Sequence, residues 1–455
     1  MKRSLIISSA LIVFVLSHVT VAQTGWGATS GKPTGRVLLI SDIHFDPLAD
    51  LSILEDLTND PADQWEGTFV KSKQNEYARA PADTNYPLLK SALSAAKAQG
   101  PYDFVIASGD YLRHNFQERF PAVSKRTSDP AAFATKTVVF VINALQKTFG
   151  VPVYVALGNN DSSTGDYDVD PKSGFLVTLG HSIGVLAKDP EAEADFRTGG
   201  YYELPHPDLA NEKIIVLNTV LWSRLYGIIG SKVVEPGLSE MDWFAERLNQ
   251  AETRGHKVIL VMHIPPGLDS YGCSRQKNGR GPIEFWEDAF LTKFCDLIRE
   301  YGGIIQIALA GHTHTDDLRV LGAKGSSSPV FLRITPSISP IYLNNPGFSV
   351  LKYDPASGDM LDISTYYLNL SPGGIDPLWK EEYSFSTAYE SSALSPANML
   401  QLAARIHDDP KVRQTFAGFY AVSAPSPITD MNWSFFSCAQ TILQSANYSK
   451  CVQGQ

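Results

Sequence analysis

Seven residues with metal-ligand chemistry close five apolar runs in this chain. They are Asp42 and His44 in Asp42-Ile43-His44, Asp110 after Gly109, Asn159 in Gly158-Asn159-Asn160-Asp161, the isolated His263, and the pair His312 and His314 in Gly311-His312-Thr313-His314. Together they supply two carboxylates, one amide and four imidazoles. Divalent ions such as Zn²⁺, Mn²⁺ or Fe²⁺ accept that mixture of oxygen and nitrogen donors, and seven ligands are too many for one tetrahedral shell. Two adjacent ions sharing a carboxylate fit the set. Any one motif alone is weak evidence, since Asp-x-His recurs by chance and a lone histidine such as His181 or His256 reads as a surface residue or a satisfied core residue.

Each ligand group follows a short run rich in Val, Ile, Leu and Ala: residues 36–40, 104–107, 153–157, 258–262 and 304–310. Such runs predict buried strands that hand polar groups to loops at their C-terminal ends. Glycine before Asp110, Asn159 and His312 lets the backbone turn sharply and approach an ion closely. Helical spacing of apolar residues over 88–97, 133–149 and 241–254 alternates with the strands, which predicts an α/β layered domain with the site at one sheet edge. Residues 330–334, 348–353 and 360–367 alternate as antiparallel strands would and could complete a second sheet. From Asp376 onward the pattern reads as helical and aromatic, with Ser395 and Pro396 as an N-cap and first-turn pair. Residues 58–87, rich in Asp, Asn, Pro and Ala, read as a long surface loop near the metal edge.

At 455 residues, 44% hydrophobic and 19% charged, the chain is globular and long enough for a large core. Its formal charge of −10 argues against broad nucleic-acid binding. Met1-Lys2-Arg3, the apolar stretch from Leu5 to Leu16 and the small residues up to Ala22 read as a secretory signal over 1–22. An N-terminal anchor is the alternative, but the stretch falls short of the ~20 residues a membrane span needs. Secreted or periplasmic location follows, without stable membrane insertion. Cys273, Cys295, Cys438 and Cys451 are an even count in an exported chain, and the simplest of three connectivities pairs 273 with 295 and 438 with 451. Sequons at Asn369, Asn432 and Asn447 matter only in a host that glycosylates.

The ordered series Asp-x-His, Gly-Asp, Gly-Asn-x-Asp, His and Gly-His-x-His resembles the calcineurin-like metallophosphoesterases. His114, four residues after Asp110, together with His263-Ile264-Pro265-Pro266-Gly267 and Asn344-Asn345-Pro346-Gly347, is similar to the acid sphingomyelinase-like phosphodiesterases, with endopolyphosphatases as near relatives. That resemblance implies a layered β-sandwich flanked by helices over 35–370 and a small helical, disulfide-bearing C-terminal region over 376–455. It also implies two divalent ions, Zn²⁺ first among the candidates. Asp42, His44 and His314 would hold one; Asn159, His263 and His312 would hold the other; Asp110 would bridge them. Asp161 would support these ligands from behind. The implied reaction is attack of a metal-activated hydroxide on a soluble phosphoester, with His114 protonating the leaving group.

Two departures narrow the carry-over. The group usually has histidine where this chain has Asn160, and an amide can donate a hydrogen bond to a phosphoryl oxygen but cannot deliver a proton. Only residues 23–35 separate the signal from the first strand, without cysteine, so the saposin module of true acid sphingomyelinase is not expected. A secreted phosphodiesterase of nucleotide-like esters is therefore the expectation. An endopolyphosphatase is the alternative, with Lys71, Lys73, Arg79, Arg113, Arg119, Lys125 and Arg126 as a basic groove. Phospholipid cleavage ranks third, and a catalytically silent metal-binding scaffold is the non-enzyme reading.

Overall fold

The computed structural model describes residues 34–454, except 126–127, 228–234, 277–280, 324–325 and 371–377. The signal over 1–22, Arg126 and Asp376 lie outside the described residues. Twelve strands run in chain order as β1 (Gly35–Ile40), β2 (Phe104–Ala107), β3 (Val153–Val155), β4 (Tyr202–Pro205), β5 (Glu212–Val216) and β6 (Lys257–Val261). Then follow β7 (Ile305–Ala310), β8 (Asp317–Leu321), β9 (Val330–Ile334), β10 (Gly347–Tyr353), β11 (Met360–Tyr367) and β12 (Lys380–Ser384). They form two six-stranded sheets, ordered β12-β11-β10-β1-β2-β3 and β4-β5-β6-β7-β9-β8.

Parallel pairing of β1 with β2 and β2 with β3 aligns the C-terminal ends of those strands, and the run β5-β6-β7-β9 does the same in the other sheet. Strands buried on both faces carry near-continuous aliphatic runs, which is why Leu38, Leu39, Ile40, Ile106 and Leu260 are almost wholly inaccessible. One continuous apolar core contains residues of both sheets. At the shared edge Ser41 pairs with Ser337 in an isolated bridge, and the N–H groups of Ile338 and Ser339 donate to the carbonyls of Ser41 and Asp42 at 3.2 and 3.1 Å. The two sheets are thus tied together where the ligand motifs emerge.

Helices flank the sheets where apolar spacing predicts them, as Tyr86–Ala98, Pro130–Phe149 and Glu235–Thr253. Asp129 caps the second of these by accepting from Ala131 N, Pro130 opens it, and Gly150 at φ +68° closes it. Ser395 caps Pro396–Asp408 as its position before Pro396 predicts. Among the described residues, no helix is long and apolar enough to cross a membrane.

Four expectations need correction. The late strands complete two sheets and not one: β9 pairs parallel with β7 in the second sheet, whereas β10 pairs antiparallel with β1 and brings β11 into the first. The helical reading after Asp376 gives way at β12, which pairs with β11 and buries Tyr383; alternation over five residues is too short to tell strand from helix. Residues 58–87 are not a surface loop, since they hold the helix Trp65–Phe69, whose Trp65 packs against Phe133 and Phe140 at 5.2 and 5.5 Å, and they bury Asp83, Thr84 and Asn85. Finally, Cys438 and Cys451 form a disulfide but Cys273 and Cys295 are free thiols. Cys273 packs with Leu268, Ile442 and Tyr448, while Cys295 packs on the main core from helix Asp288–Tyr301; the two sit in different apolar clusters, and sequence proximity said nothing about that.

Candidate metal centre

The loop after β1 runs beside the loop after β2: the N–H groups of Asp42, His44 and Phe45 donate to the carbonyls of Gly109, Asp110 and Tyr111 at 3.0, 2.8 and 2.7 Å. That zipper sets Asp42, His44 and Asp110 side by side. Close approach continues at Gly158, where a Cβ would stand 2.0 Å from Asp110 Oδ1, so only glycine fits. Asp42, His44, Asp110, His312 and His314 all adopt positive φ, between +43° and +76°. A left-handed conformation costs a residue with a side chain roughly 1–2 kcal/mol, and five in one place mark a site where position outweighs local stability.

The donor atoms converge. Asp110 Oδ2 lies 3.3 Å from His44 Nε2 and 3.2 Å from His263 Nε2, while His314 Nε2 lies 3.4 Å from Asp42 Oδ1 and 3.0 Å from His44 Nε2. Atoms of Asp110, His263 and His312 form a second close group, all within 4.8 Å of one another. Donors about 2.1 Å from one ion stand about 3.0 Å apart at right angles and about 3.4 Å apart at the tetrahedral angle, so the observed spacings fit ligand shells. One Asp110 oxygen is shared by both groups, as two ions would require. The Asn159 amide oxygen is buried with no hydrogen-bond partner, a costly state that a cation relieves. His44 donates through Nδ1 to the Leu112 carbonyl at 3.0 Å and His263 through Nδ1 to that of Ser108 at 2.7 Å, which leaves each Nε2 lone pair for the centre.

For His44, His312 and His314 the electrostatics agree with lone pairs directed at the centre. Burial, with His114 and His263 nearby, pushes His44 down to about 4 and His312 to about 3, and burial beside His44 holds His314 well below its usual range. All three are neutral near pH 7. Burial opposes charge on Asp110 and His263, yet the imidazoles of His263 and His44 hold Asp110 well below the carboxylate range, and Asp110 lifts His263 to about 9. Burial raises Asp42 to about 6 and, with Asp110 beside it, Asp161 to about 7.

The residues flanking the ligands also have definite places. Asp161 accepts from the N–H groups of Asp110, Tyr111, Leu112 and Gly158 at 2.7–3.1 Å, pinning two ligand-bearing loops to each other. Asn160 turns inward, its N–H and Nδ2 donating to Asp110 Oδ1 and Oδ2 at 2.8 and 3.1 Å. In this arrangement the amide holds the shared carboxylate. His114 stacks on His44 with ring centroids 3.9 Å apart, and its Nδ1 meets Asp83 Oδ1 at 3.0 Å. Burial works against protonation there, but the Asp83 carboxylate outweighs it and raises the His114 pKa above its usual value.

Sequence reasoning missed Asp83, Asp166, Tyr167 and Tyr342. Asp83 sits among small polar residues that carry no ligand pattern, and it arrives because Thr84 N–H donates to the His44 carbonyl at 3.1 Å. Tyr342 places its hydroxyl 3.2 Å from His114 Nε2 and its ring edge against His314. Tyr167 places its hydroxyl 3.5 Å from His312 Nε2, and Phe285 stands edge-on to the same imidazole. No spacing rule links these positions to the motifs.

Comparison with known proteins agrees with the geometry. Residues 35–316 match the family profile described as calcineurin-like phosphoesterase, and residues 328–455 match that of the acid sphingomyelin phosphodiesterase C-terminal region. Cyclic GMP-AMP phosphodiesterase SMPDL3A of Homo sapiens is 28% identical over 378 residues, covering 78% of this chain and 80% of its own. Acid sphingomyelinase-like phosphodiesterase 3b of Homo sapiens is 26% identical, covering 94% of this chain and 92% of its own. With the first match spanning more than half the chain, this protein belongs to the calcineurin-like phosphoesterases and is a metal-dependent phosphoester hydrolase of the acid sphingomyelinase-like kind.

Proposed function

We propose that the chain is an exported phosphodiesterase of soluble, nucleotide-like esters in which His114 protonates the leaving group. Asp42, His44 and His314 would hold one divalent ion, Asn159, His263 and His312 would hold the other, and Asp110 would be shared between them. Two such ions, when bound, supply Lewis-acid chemistry: they acidify water and neutralise charge on a phosphoryl group. The protein's own groups supply the rest. The observation that carries the reading is the setting of His114, held by Asp83 at Nδ1, stacked on His44, and with Nε2 directed to the Tyr342 hydroxyl at 3.2 Å. Asp83 fixes the tautomer, so Nε2 is the atom that passes its proton to a departing alkoxide. Ser339 Oγ donates to Asp83 Oδ1 at 2.9 Å and keeps that carboxylate in line.

Aromatic walls support a substrate with a flat, apolar portion beside its phosphate. Tyr167 and Phe285 stand at His312 and Tyr342 at His314, and the side of Tyr342 is 61% exposed. Such rings stack on nucleobases at roughly 1–3 kcal/mol each. The name of the SMPDL3A relative points to a nucleotide substrate for that protein. The basic-groove alternative loses support because Lys71, Lys125 and Arg113 pair with Asp56, Glu55 and Asp46. A parallel screen of metal-loaded protein against nucleotides, polyphosphate and choline phospholipids tests the proposal. Release of nucleoside monophosphates is expected, and shortening of polyphosphate with nucleotides untouched would reject it.

A further inference from the structure

The amide of Asn159 has two ends of nearly equal size, and only the oxygen end is attractive to a cation. Its Nδ2 donates to Asp166 Oδ1 at 2.7 Å, while its Oδ1 is buried without a partner. A carboxylate accepts hydrogen bonds and cannot donate them, so Asp166 can pair with the amino end alone. Flipping the amide would set two oxygens against each other and turn N–H groups toward the ions.

The loop that presents Asp166 is held by other bonds. Thr164 Oγ1 donates to the Asp168 carbonyl at 2.6 Å, Thr164 N donates to Ser162 Oγ at 3.0 Å, and Tyr167, at φ +56°, returns its N–H to the Asn159 carbonyl at 2.9 Å. Asp166 itself is exposed, so shortening its side chain removes no packing from the core. Resting on the two-ion reading above, we infer that Asp166 is a positioning residue, whose carboxylate selects the metal-facing orientation of the Asn159 amide.

An aspartate in place of Asn159 carries oxygen at both ends, so Asp166 can no longer orient it and only repels it, which gives a test in the form of a double-mutant cycle. Purified, metal-stripped chain is titrated with Zn²⁺ against a chromophoric chelator, with bound metal counted by mass spectrometry and folding checked by circular dichroism. Asp166→Ala is expected to weaken one of the Zn²⁺ equivalents by roughly 10–100-fold in the native background. In the Asn159→Asp background the same change removes a repulsion between two carboxylates and should leave affinity unchanged or raise it. An equal loss in both backgrounds would show a structural role and overturn the inference, as would unchanged affinity in the native background. Zn²⁺ binding is read without substrate, so absence of nucleotide hydrolysis counts against the phosphodiesterase reading alone.

Discussion

At the residue scale, Asp110 and His114 carry separable duties. Asp110 Oδ2 lies within 3.3 Å of Nε2 of both His44 and His263. Asp110→Asn should therefore lose bound metal and turnover together, each falling by at least about tenfold; wild-type metal content with normal rates would reject the bridging role. In the proposed function His114 contributes a proton, which matters in proportion to how poorly the leaving group departs. His114→Ala should slow hydrolysis of an alkyl phosphodiester by roughly 10²–10⁴-fold and that of a p-nitrophenyl ester far less. Equal losses on the two substrates, measured as kcat/KM, would remove the proton-donor assignment.

At the element scale, the buried pair Asp316 and Arg333 locks the two sheets behind the site. Arg333 lies on β9 of one sheet and forms a two-pronged ion pair with Asp316, two residues past His314. From the other sheet, Thr365 on β11 and Tyr383 on β12 donate to the same carboxylate at 2.9 and 2.7 Å. Breaking one side of a buried, hydrogen-bonded pair leaves an uncompensated charge and costs about 3–5 kcal/mol. Asp316→Asn should lower the urea unfolding free energy by that order. A loss below about 1 kcal/mol would mean that the pair stands in a more solvated setting than its burial implies.

At the scale of the whole molecule, two solution measurements report on the fold. Glu212, 2% exposed at the start of β5, is lifted by burial from 4.5 to about 7, despite the lowering influence of Lys257. The native chain then binds this proton more tightly than the unfolded chain, so stability falls as pH rises from about 4.5 to about 7. Glu212→Gln should flatten that part of the profile by on the order of 1–3 kcal/mol in urea titrations run at pH 5 and pH 7.5. An unchanged slope would show that Glu212 is solvated. The cysteine arrangement is checked by thiol counting in denaturant without reductant, which should find two free thiols, Cys273 and Cys295. Reducing the Cys438–Cys451 bond, which spans 13 residues, should lower stability by about 3 kcal/mol.

Local chemistry explains what was legible in the sequence. Hydrophobic runs that end in glycine and a ligand residue reveal strands and their functional ends, because both depend on neighbours a few positions away. Hence the α/β class, the five ligand-bearing strands and the long helices could be read directly. Which strand joins which sheet could not, because β10 reaches back across the chain to β1 and β9 slots between β7 and β8, choices settled by packing in space. The same holds for Cys273 and Cys295, close in sequence but packed in different clusters. It holds too for Asp83 on His114 and Asp166 on Asn159. The sequence by itself determined the kind of chemistry, since donor types and their order already call for divalent ions. Only the tertiary structure decided which polar groups orient those donors, because a hydrogen-bond partner is chosen by proximity in space and leaves no period or spacing along the chain.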